Sequence, residues 1–180
     1  MLYYSQSYGR VAVFMISFLP DFVFRKLTDI PPSFFAERGL KLILLDFDNT
    51  MLPYTCDEPT QELLAWIDRM RASGLRLCIV SNSKKPRVPR FSERYGVACV
   101  THAGKPGGRG IREAMRRFGC RTAQTALIGD QIYTDVLGAK CAGITAIAVR
   151  SIHNHNVALK LRHVLELPFF ALARKRRIYL

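Results

Sequence analysis

The stretch LILLDFDNT, Leu42 to Thr50, decides the fold of this 180-residue chain. Its apolar run, Leu42 to Leu45, predicts a parallel strand that is buried on both faces. Asp46 and Asp48 follow directly, at the carboxyl end of the strand, where open α/β sheets bind their ligands. Acidic residues after a strand also serve as turn formers or helix caps, so this stretch alone leaves both interpretations open.

Three later strand ends carry polar side chains of complementary chemistry. Ser81 and Asn82 follow the apolar run LCIV, and their hydroxyl and amide groups suit a phosphoryl oxygen. Lys105 lies between a short predicted strand and a helix, where an ammonium group can neutralise phosphate charge. Asp130 ends a further strand and Asp135 comes five residues later; carboxylate oxygens are ligands that Mg²⁺ prefers. Each segment alone is weak evidence, but the four in this order indicate a site for phosphate chemistry.

Predicted strands and helices alternate along the chain, which favours a three-layer α/β/α sandwich around a mainly parallel sheet. The strands are predicted at Lys41–Asp46, Leu75–Ser81, Val97–Thr101, Thr125–Asp130 and Ile144–Val149. The helices are predicted at about 59–72, 88–95, 107–118 and 134–142. The first helix is expected to begin near Pro59, with Asp57 or Glu58 at its cap. A glycine stands where each helix must end: Gly74, Gly96, Gly119 and Gly143.

The four polar segments resemble motifs I to IV of the haloacid-dehalogenase-like (HAD) superfamily of phosphotransferases. The closer resemblance is to subclass IIIA and its YqeG family, to which phosphatidylglycerophosphate phosphatases are related. It rests on FLPD from Phe18, ERGLKLILLDFDNT from Glu37, SNS from Ser81, AGKP from Ala103 and GDQIYTDVLGAKCAG from Gly129. The resemblance runs from about Phe18 to Val149 and implies a Rossmann-like sheet with the segment at Asp46 on its central strand.

The resemblance implies catalytic and metal-binding roles for three carboxylates. Asp46 would attack phosphorus and form an aspartyl-phosphate. Asp48 would protonate the leaving alkoxide and then activate water for the second step. The metal ligands would be Asp46, the backbone carbonyl of Asp48, and Asp130, and the metal would be Mg²⁺. A second acid at Asp48 favours phosphate hydrolysis over dehalogenation within this superfamily.

The same resemblance implies roles for the remaining polar residues. Ser81 would hydrogen-bond a phosphoryl oxygen, with help from Asn82. Lys105 would pair with Asp46 and with the phosphate. Asp135 would support the site by orienting Lys105 or a metal-bound water. Thr50 is expected to be structural and to close the turn after the strand.

The spacing between the motifs leaves no room for a separate cap domain over the site. Residues 51–78 and 84–104 each hold one helix and its loops, too few to fold as a domain. We therefore expect one domain over residues 1–180, with an amphipathic segment at 1–39, a catalytic core at 40–150 and a basic helical extension at 151–180. An open site suits a substrate that cannot be enclosed, such as a lipid head group, a protein or a nucleic-acid end.

Basic residues outnumber acidic ones, 27 Lys and Arg against 14 Asp and Glu, which gives a net charge of +13. They concentrate at residues 84–94, KKPRVPRFSER, and at Arg174–Arg177. Such a field attracts anionic substrates or surfaces, although solubility and composition bias explain it equally well. The sequence contains no recognised nucleic-acid-binding motif, only the charge.

The two ends of the chain and its cysteines indicate where in the cell the protein is expected. The apolar run from Val11 is interrupted by Pro20 and Asp21, far short of the roughly 20 residues that a bilayer-spanning helix needs. The segment Asn156 to Leu180 has the pattern of an interfacial helix, or of a helix packed on the core. Five cysteines without a CxxC pair are expected to be reduced thiols. We expect a cytoplasmic protein, and leave open peripheral contact at the inner face of the membrane.

The leading functional prediction is a Mg²⁺-dependent phosphatase acting on an anionic phosphomonoester, with phosphatidylglycerophosphate as the leading candidate substrate. Two alternatives stay open. The first is a phosphatase of a soluble phosphosugar or nucleotide. The second is a non-catalytic protein that keeps the HAD fold and docks nucleic acid through its basic surface.

Overall fold

The computed structural model describes residues 18–152, which form a six-stranded sheet with every neighbouring pair of strands parallel. The strands are β1 (Phe22–Phe24), β2 (Leu42–Leu45), β3 (Arg76–Val80), β4 (Ala98–Val100), β5 (Thr125–Gly129) and β6 (Thr145–Val149). Their order across the sheet is β1-β6-β5-β2-β3-β4. The chain runs outward from β2 to β4 and then returns to β5 on the other side of β2. The direction of winding therefore reverses between β2 and β5, where such sheets place their ligands.

Helices cover both faces of the sheet. They are α1 (Pro32–Ala36), α2 (Gln61–Ala72), α3 (Arg87–Tyr95), α4 (Arg109–Phe118) and α5 (Leu137–Ala142), and a π-helical turn at Ile132–Val136 leads into α5. Alternate residues of β2 belong to different cores. Ile43 and Leu45 pack in the core that includes Trp66 of α2, whereas Leu42 and Leu44 pack in the core that includes Ile111 of α4. Two cores on one sheet confirm the predicted three-layer α/β/α sandwich.

The five predicted strands are present, each within one residue of its predicted ends. The first predicted helix begins two residues late, at Gln61, because Thr60 is its cap. The Thr60 side chain accepts a hydrogen bond from the backbone N–H of Leu63 at 3.2 Å, a role expected for Asp57 or Glu58. The four glycines at the predicted helix ends all adopt positive φ, as a left-handed helix cap requires.

The sequence did not predict β1, which is the edge strand beside β6. Asp21, just before it, fixes this edge: its carboxylate accepts the backbone N–H of Ala146 at 2.8 Å and pairs with the ammonium of Lys140. Phe34 and Phe35 of α1 are buried in the core. Part of the segment expected as an amphipathic end, 1–39, is thus built into the sheet and its core.

The expectations for residues 1–17 and for most of the basic extension, 153–180, fall outside the described residues. No helix within residues 18–152 is long and apolar enough to cross a bilayer. Over the same range, α2 with its loops fills the interval between β2 and β3, and α3 with its loops fills that between β3 and β4. The described chain therefore has no separate cap domain, as the motif spacing predicts.

Candidate active site

Asp46 and Asp48 lie at the carboxyl end of β2, beside the point where the winding reverses. Asp46 is buried and Asp48 is half-buried. The chain turns at Asn49, which adopts φ of 64°, a left-handed conformation that asparagine tolerates. The Asn49 side chain accepts a hydrogen bond from the backbone N–H of Tyr54 at 3.1 Å. Asn49 therefore helps to hold the turn after the strand.

Lys105 is a buried cation that pairs with two of the acids. Its ammonium group lies 2.6 Å from Oδ1 of Asp46 and 2.7 Å from Oδ1 of Asp135, and its side chain is 1% exposed. Burial pulls the pKa of Lys105 down, but the carboxylates of Asp135 and Asp46 more than offset this and raise it above its usual value. Lys105 therefore stays protonated, and the predicted pairing with Asp46 is present.

The Asn82 side chain holds the backbone that carries Lys105. Its Oδ1 accepts the N–H of Lys105 at 2.8 Å, and its Nδ2 donates to the carbonyl of the same residue at 2.9 Å. Asn82 was predicted to help bind substrate. The structure shows that it fixes the Lys105 loop, and one hydrogen of Nδ2 remains for a phosphoryl oxygen.

Asp130, which directly follows β5, and Asp135, in the π-helical turn, lie close to Asp46. Gly129 makes this approach possible, because a Cβ at Gly129 would lie 2.3 Å from Cγ of Asp135. Oδ2 of Asp135 accepts the backbone N–H of Gln131 at 3.1 Å. Burial raises the pKa of Asp135 to about 6, although Lys105 pulls it down.

Carboxylate oxygens of Asp46, Asp130 and Asp135 all lie within 4.8 Å of one another. The Thr50 hydroxyl sits between two of these acids, 3.3 Å from Oδ2 of Asp46 and 3.1 Å from Oδ1 of Asp130. Thr50 was expected only to close a turn, so its contact with the acids is a finding of the structure. The Asp48 carboxylate does not belong to this cluster of three, and metal binding by its backbone carbonyl stays a prediction.

The cluster carries more negative than positive charge. Three buried carboxylates face one ammonium group, that of Lys105. Burial raises the pKa of Asp130 well above its usual range, and the charges of Asp46 and Asp135 raise it further. A divalent cation with oxygen ligands fits this donor set and would supply the missing positive charge.

Ser81 directly follows β3, which lies on the opposite side of β2 from β5 and Asp130. It is buried, and its Oγ accepts the backbone N–H of Ser83 at 3.0 Å, which leaves its own hydrogen to donate. Ser81 lines an open cavity of about 450 Å³ whose floor includes Asp46, Asp48 and Lys105. The remaining lining residues are half-buried or exposed, and together they are called the rim: Tyr54, Asn82, Ser83, Lys84, Lys85, Gln131 and Thr134. The structure thus brings the predicted catalytic and substrate-binding residues to one cavity.

Arg87, the first residue of α3, is a site residue that the sequence did not reveal. Its guanidinium donates to Oδ1 of Asp48 at 2.6 Å, and its side chain is 7% exposed. Burial raises the pKa of Asp48, and this effect outweighs the lowering by Arg87. In the sequence, Arg87 is one of several cations in the basic stretch 84–94, and nothing separates it from its exposed neighbours.

Comparison with known proteins agrees with this fold. A family model described as HAD-hydrolase-like matches residues 102–162. The chain is 36% identical to the probable phosphatase YqeG of Bacillus subtilis over 132 residues, which cover 73% of this chain and 77% of that protein. A solved structure, the cobalt-bound form of deoxy-D-mannose-octulosonate 8-phosphate phosphatase from Haemophilus influenzae, aligns with a TM-score of 0.51 at 16% identity. That alignment covers 73% of this chain and 90% of the other.

Two further relatives match over shorter spans. Glyceraldehyde 3-phosphate phosphatase of Methanothermobacter thermautotrophicus is 43% identical over 91 residues, 46% of this chain and 40% of that protein. The chloroplastic phosphatidylglycerophosphate phosphatase 1 of Chlamydomonas reinhardtii is 26% identical over 121 residues, 62% of this chain and 45% of that protein. Each of these alignments spans less than half of the relative's length.

The parallel sheet and the acids at its winding reversal define a HAD-like hydrolase. Together with the relative in Bacillus subtilis, they place the chain in the family of HAD-like phosphatases that contains YqeG. The chain is therefore an enzyme, and the alternative of a non-catalytic binding protein is set aside.

Proposed function

We propose that this enzyme hydrolyses anionic phosphomonoesters in two steps, through a phosphoryl group carried on Asp46. The observation that carries the proposal is the arrangement of Asp46. Its Oδ1 is held by the ammonium of Lys105 at 2.6 Å and its Oδ2 lies 3.3 Å from the Thr50 hydroxyl. Asp46 thus faces the cavity as a fixed carboxylate, with a second acid, Asp48, two residues away. A held nucleophile beside a separate proton carrier is what covalent phosphoryl transfer needs.

In the first step, a carboxylate oxygen of Asp46 attacks phosphorus while the ester P–O bond breaks. The electron pair of that bond goes to the leaving oxygen, which takes a proton from Asp48. Ser81 and the free hydrogen of Asn82 Nδ2 donate to phosphoryl oxygens, and Lys105 offsets their negative charge. These donors hold phosphorus in line with Asp46.

In the second step, water attacks the phosphorus of the aspartyl-phosphate and gives its proton to Asp48. The bond between phosphorus and Asp46 breaks, which regenerates the carboxylate and releases inorganic phosphate. Asp48 therefore acts first as acid and then as base, and each cycle returns both groups to their starting states.

The donors of the acid cluster fit Mg²⁺, and we propose Asp46, Asp130 and the backbone carbonyl of Asp48 as its ligands. The ion would neutralise charge between the nucleophile and the substrate phosphate. Asp135 accepts hydrogen bonds from Lys105 at 2.7 Å and from the N–H of Gln131 at 3.1 Å, so its role is to hold Lys105 against Asp46.

We further propose that the substrate is a phosphomonoester lipid at an anionic membrane surface, with phosphatidylglycerophosphate as the first candidate. The described chain has no cap domain, so a substrate embedded in a bilayer could reach Asp46. Lys84 and Lys85 lie on the cavity rim, and no carboxylate within residues 18–152 forms an ion pair with either. Basic residues near an anionic membrane contribute about 1 kcal/mol each. The relative from Chlamydomonas reinhardtii is named for this substrate.

A soluble phosphorylated metabolite is the competing substrate. The relative from Methanothermobacter thermautotrophicus, a glyceraldehyde 3-phosphate phosphatase, favours it, because this alignment has the higher identity of the two shorter matches. In that case the rim lysines would steer small anions to the cavity. The enzyme would then act in the cytoplasm without membrane contact.

Hydrolysis of 4-nitrophenyl phosphate tests the chemistry independently of the natural substrate. We expect activity that requires Mg²⁺ and disappears with excess chelator. Asp46→Asn should abolish turnover with little change in the urea unfolding midpoint. Asp130→Ala should retain some activity but require a much higher Mg²⁺ concentration, because a carboxylate ligand is lost. Full activity in chelator, or a working Asp46→Asn variant, would contradict the mechanism.

The substrate is tested by comparing three compounds at equal phosphate concentration: phosphatidylglycerophosphate in vesicles, its deacylated head group, and glyceraldehyde 3-phosphate. The proposal expects the highest kcat/KM for the lipid, and binding to anionic vesicles that weakens with salt and with Lys84→Gln plus Lys85→Gln. Arg116→Gln plus Arg117→Gln, a pair of exposed cations on α4, is the matched control. Preference for glyceraldehyde 3-phosphate with no vesicle binding would replace the lipid by the soluble metabolite.

A further inference from the structure

The buried guanidinium of Arg87 makes more contacts than an ordinary ion pair requires. Besides Oδ1 of Asp48, it donates to the backbone carbonyls of Pro53, Tyr54 and Cys56, at 3.0 Å and 2.9 Å for the first two. Its Nε lies 2.9 Å from a carboxylate oxygen of Asp57. One side chain thus fastens the segment 53–57, which follows the turn after β2, to the proton-carrying residue of the site.

Only arginine can make this set of contacts. The guanidinium presents five N–H donors in a rigid plane, whereas lysine offers a single ammonium centre. The plane also lies against aromatic rings, with Cζ 5.1 Å from the ring centre of Phe47 and 5.7 Å from that of Tyr54. Phe47 is the residue between Asp46 and Asp48. Arg87 therefore contacts two consecutive residues of the site, the ring of Phe47 and the carboxylate of Asp48.

We infer that Arg87 is a positioning residue that holds the Asp48 carboxylate toward the leaving group and stabilises the charge it acquires on giving up its proton. The inference rests on the proposed role of Asp48 as general acid. Arg87 occupies Oδ1 of Asp48, which leaves Oδ2 for proton exchange with the substrate. The Asp48 side chain is 20% exposed and follows the end of a strand. The hydrogen bond from Arg87 limits the rotation of this side chain.

Arg87 is expected to act on the cleavage of the ester P–O bond. As the ester P–O bond breaks, its electron pair moves to the leaving oxygen and the proton of Asp48 moves to that oxygen. Asp48 becomes a carboxylate, and the guanidinium 2.6 Å away stabilises this negative charge in a partly buried site. Arg87 should therefore accelerate P–O cleavage only slightly when the leaving group departs without protonation. The acceleration should be large when the leaving group is basic and needs the proton.

A series of substituted phenyl phosphates, from 4-nitrophenyl to 4-methoxyphenyl, tests this dependence. The substrates have similar shapes, but their leaving groups rise in basicity. We expect Asp48→Asn to make log(kcat/KM) fall more steeply with leaving-group basicity than in the wild type. Arg87→Met and Arg87→Lys should steepen the line in the same sense. The expected loss is about 10- to 100-fold for 4-methoxyphenyl phosphate, the size of one charge-assisted hydrogen bond, and under about 3-fold for 4-nitrophenyl phosphate.

Two controls separate positioning from folding. Arg94→Gln removes an exposed cation of the same helix, which pairs with Glu58. Asp57→Asn removes the exposed carboxylate that lies near Nε of Arg87. Both variants should keep the wild-type dependence on leaving-group basicity. In an Asp48→Asn background, Arg87→Met should have almost no further effect on kcat/KM, because no proton carrier is left to position.

Equal losses across the substrate series would overturn the inference, and so would a further loss in the Asp48→Asn background, since both indicate a structural role. If Asp48→Asn alone leaves the slope unchanged, the proposed general acid is wrong, and the inference about Arg87 falls with it. That outcome is distinct, because it is visible before Arg87 is altered.

Discussion

Lys105 neutralises part of the negative charge of the buried carboxylates in the site. It lies between Asp46 and Asp135, at 2.6 Å and 2.7 Å, with almost no exposure to solvent. Such a pair contributes little net stability as long as both partners are present, because desolvation offsets attraction. Removal of Lys105 has a larger effect, because it leaves the buried carboxylates of Asp46 and Asp135 without their cation and next to the carboxyl group of Asp130.

Lys105→Met should therefore lower the free energy of unfolding by about 3–5 kcal/mol, the usual loss when a buried charge is left without its partner. Urea unfolding in chelator measures it. Lys26→Met is the matched control, because the Lys26 ammonium pairs with Glu62 at 3.8 Å on an exposed surface and should contribute at most about 1 kcal/mol. A Lys105→Met variant as stable as wild type would show that the three carboxylates do not depend on Lys105.

At this scale the sequence predicts the acids and the lysine, with Asp135 beside Lys105, but it does not predict Arg87. Asp46, Ser81 and Lys105 are predictable because they stand at the ends of apolar strands, and parallel strands bring their carboxyl ends to one edge. Arg87 reaches Asp48 across 39 positions of the chain, and its importance comes from burial. Burial of a charged side chain depends on the packing of other segments around it, which a run of basic residues does not encode.

Among the secondary-structure elements, β1 depends most on contacts made outside itself. It has three residues, and within residues 18–152 it pairs only with β6, more than 120 positions away in sequence. Asp21 supplies the anchor, through its hydrogen bonds with Ala146 and its ion pair with Lys140.

Asp21→Ala should lower the free energy of unfolding by about 1–3 kcal/mol, because the buried backbone N–H of Ala146 loses its side-chain partner. Activity per folded molecule should stay close to wild type, since β1 carries none of the residues of the acid cluster. Denaturant titration and 4-nitrophenyl phosphate turnover measure the two effects. Asp68→Ala is the control, an exposed acid of α2 that pairs weakly with Arg71 at 3.9 Å. Equal stability of the two variants would rule out Asp21 as an anchor of the sheet edge.

The elements differ in how far the sequence predicts them, for a physical reason. The interior strands β2, β3 and β5 are continuous apolar runs, because both faces of the sheet are covered by helices. The strand β1 begins after Pro20 and Asp21 in a longer apolar stretch, and its identity as a strand comes from pairing with β6. A short edge strand of this kind carries little local signal.

At the scale of the whole molecule, the reactivity of the cysteines measures how far solvent can enter the two cores. All five are free thiols; Cys56 and Cys141 are exposed, whereas Cys78 of β3 is buried. Burial raises the pKa of the Cys78 thiol to about 12, and the thiolate is the species that reacts.

Iodoacetamide at pH 8 should therefore label Cys56 and Cys141 within minutes and leave Cys78 unlabelled until the sheet unfolds. Peptide mass spectrometry in native buffer and in urea measures this difference. The urea concentration at which Cys78 becomes reactive should match the midpoint seen by circular dichroism, because small single domains usually unfold as one unit. Early labelling of Cys78 would mean that the face covered by α4 opens separately.

The order of the strands also governs when catalysis can appear during folding. Asp46 stands on β2 and Asp130 follows β5, strands that are adjacent in the sheet but separated by about 80 positions in the chain. Ribosomal synthesis delivers Asp46, Asp48, Ser81 and Arg87 well before Asp130 and Asp135 exist. Contacts of such long range form late, because the intervening chain must first lose its conformational freedom. A growing chain therefore lacks Asp130 and Asp135, and on the proposed mechanism hydrolysis begins only once β5 has paired with β2.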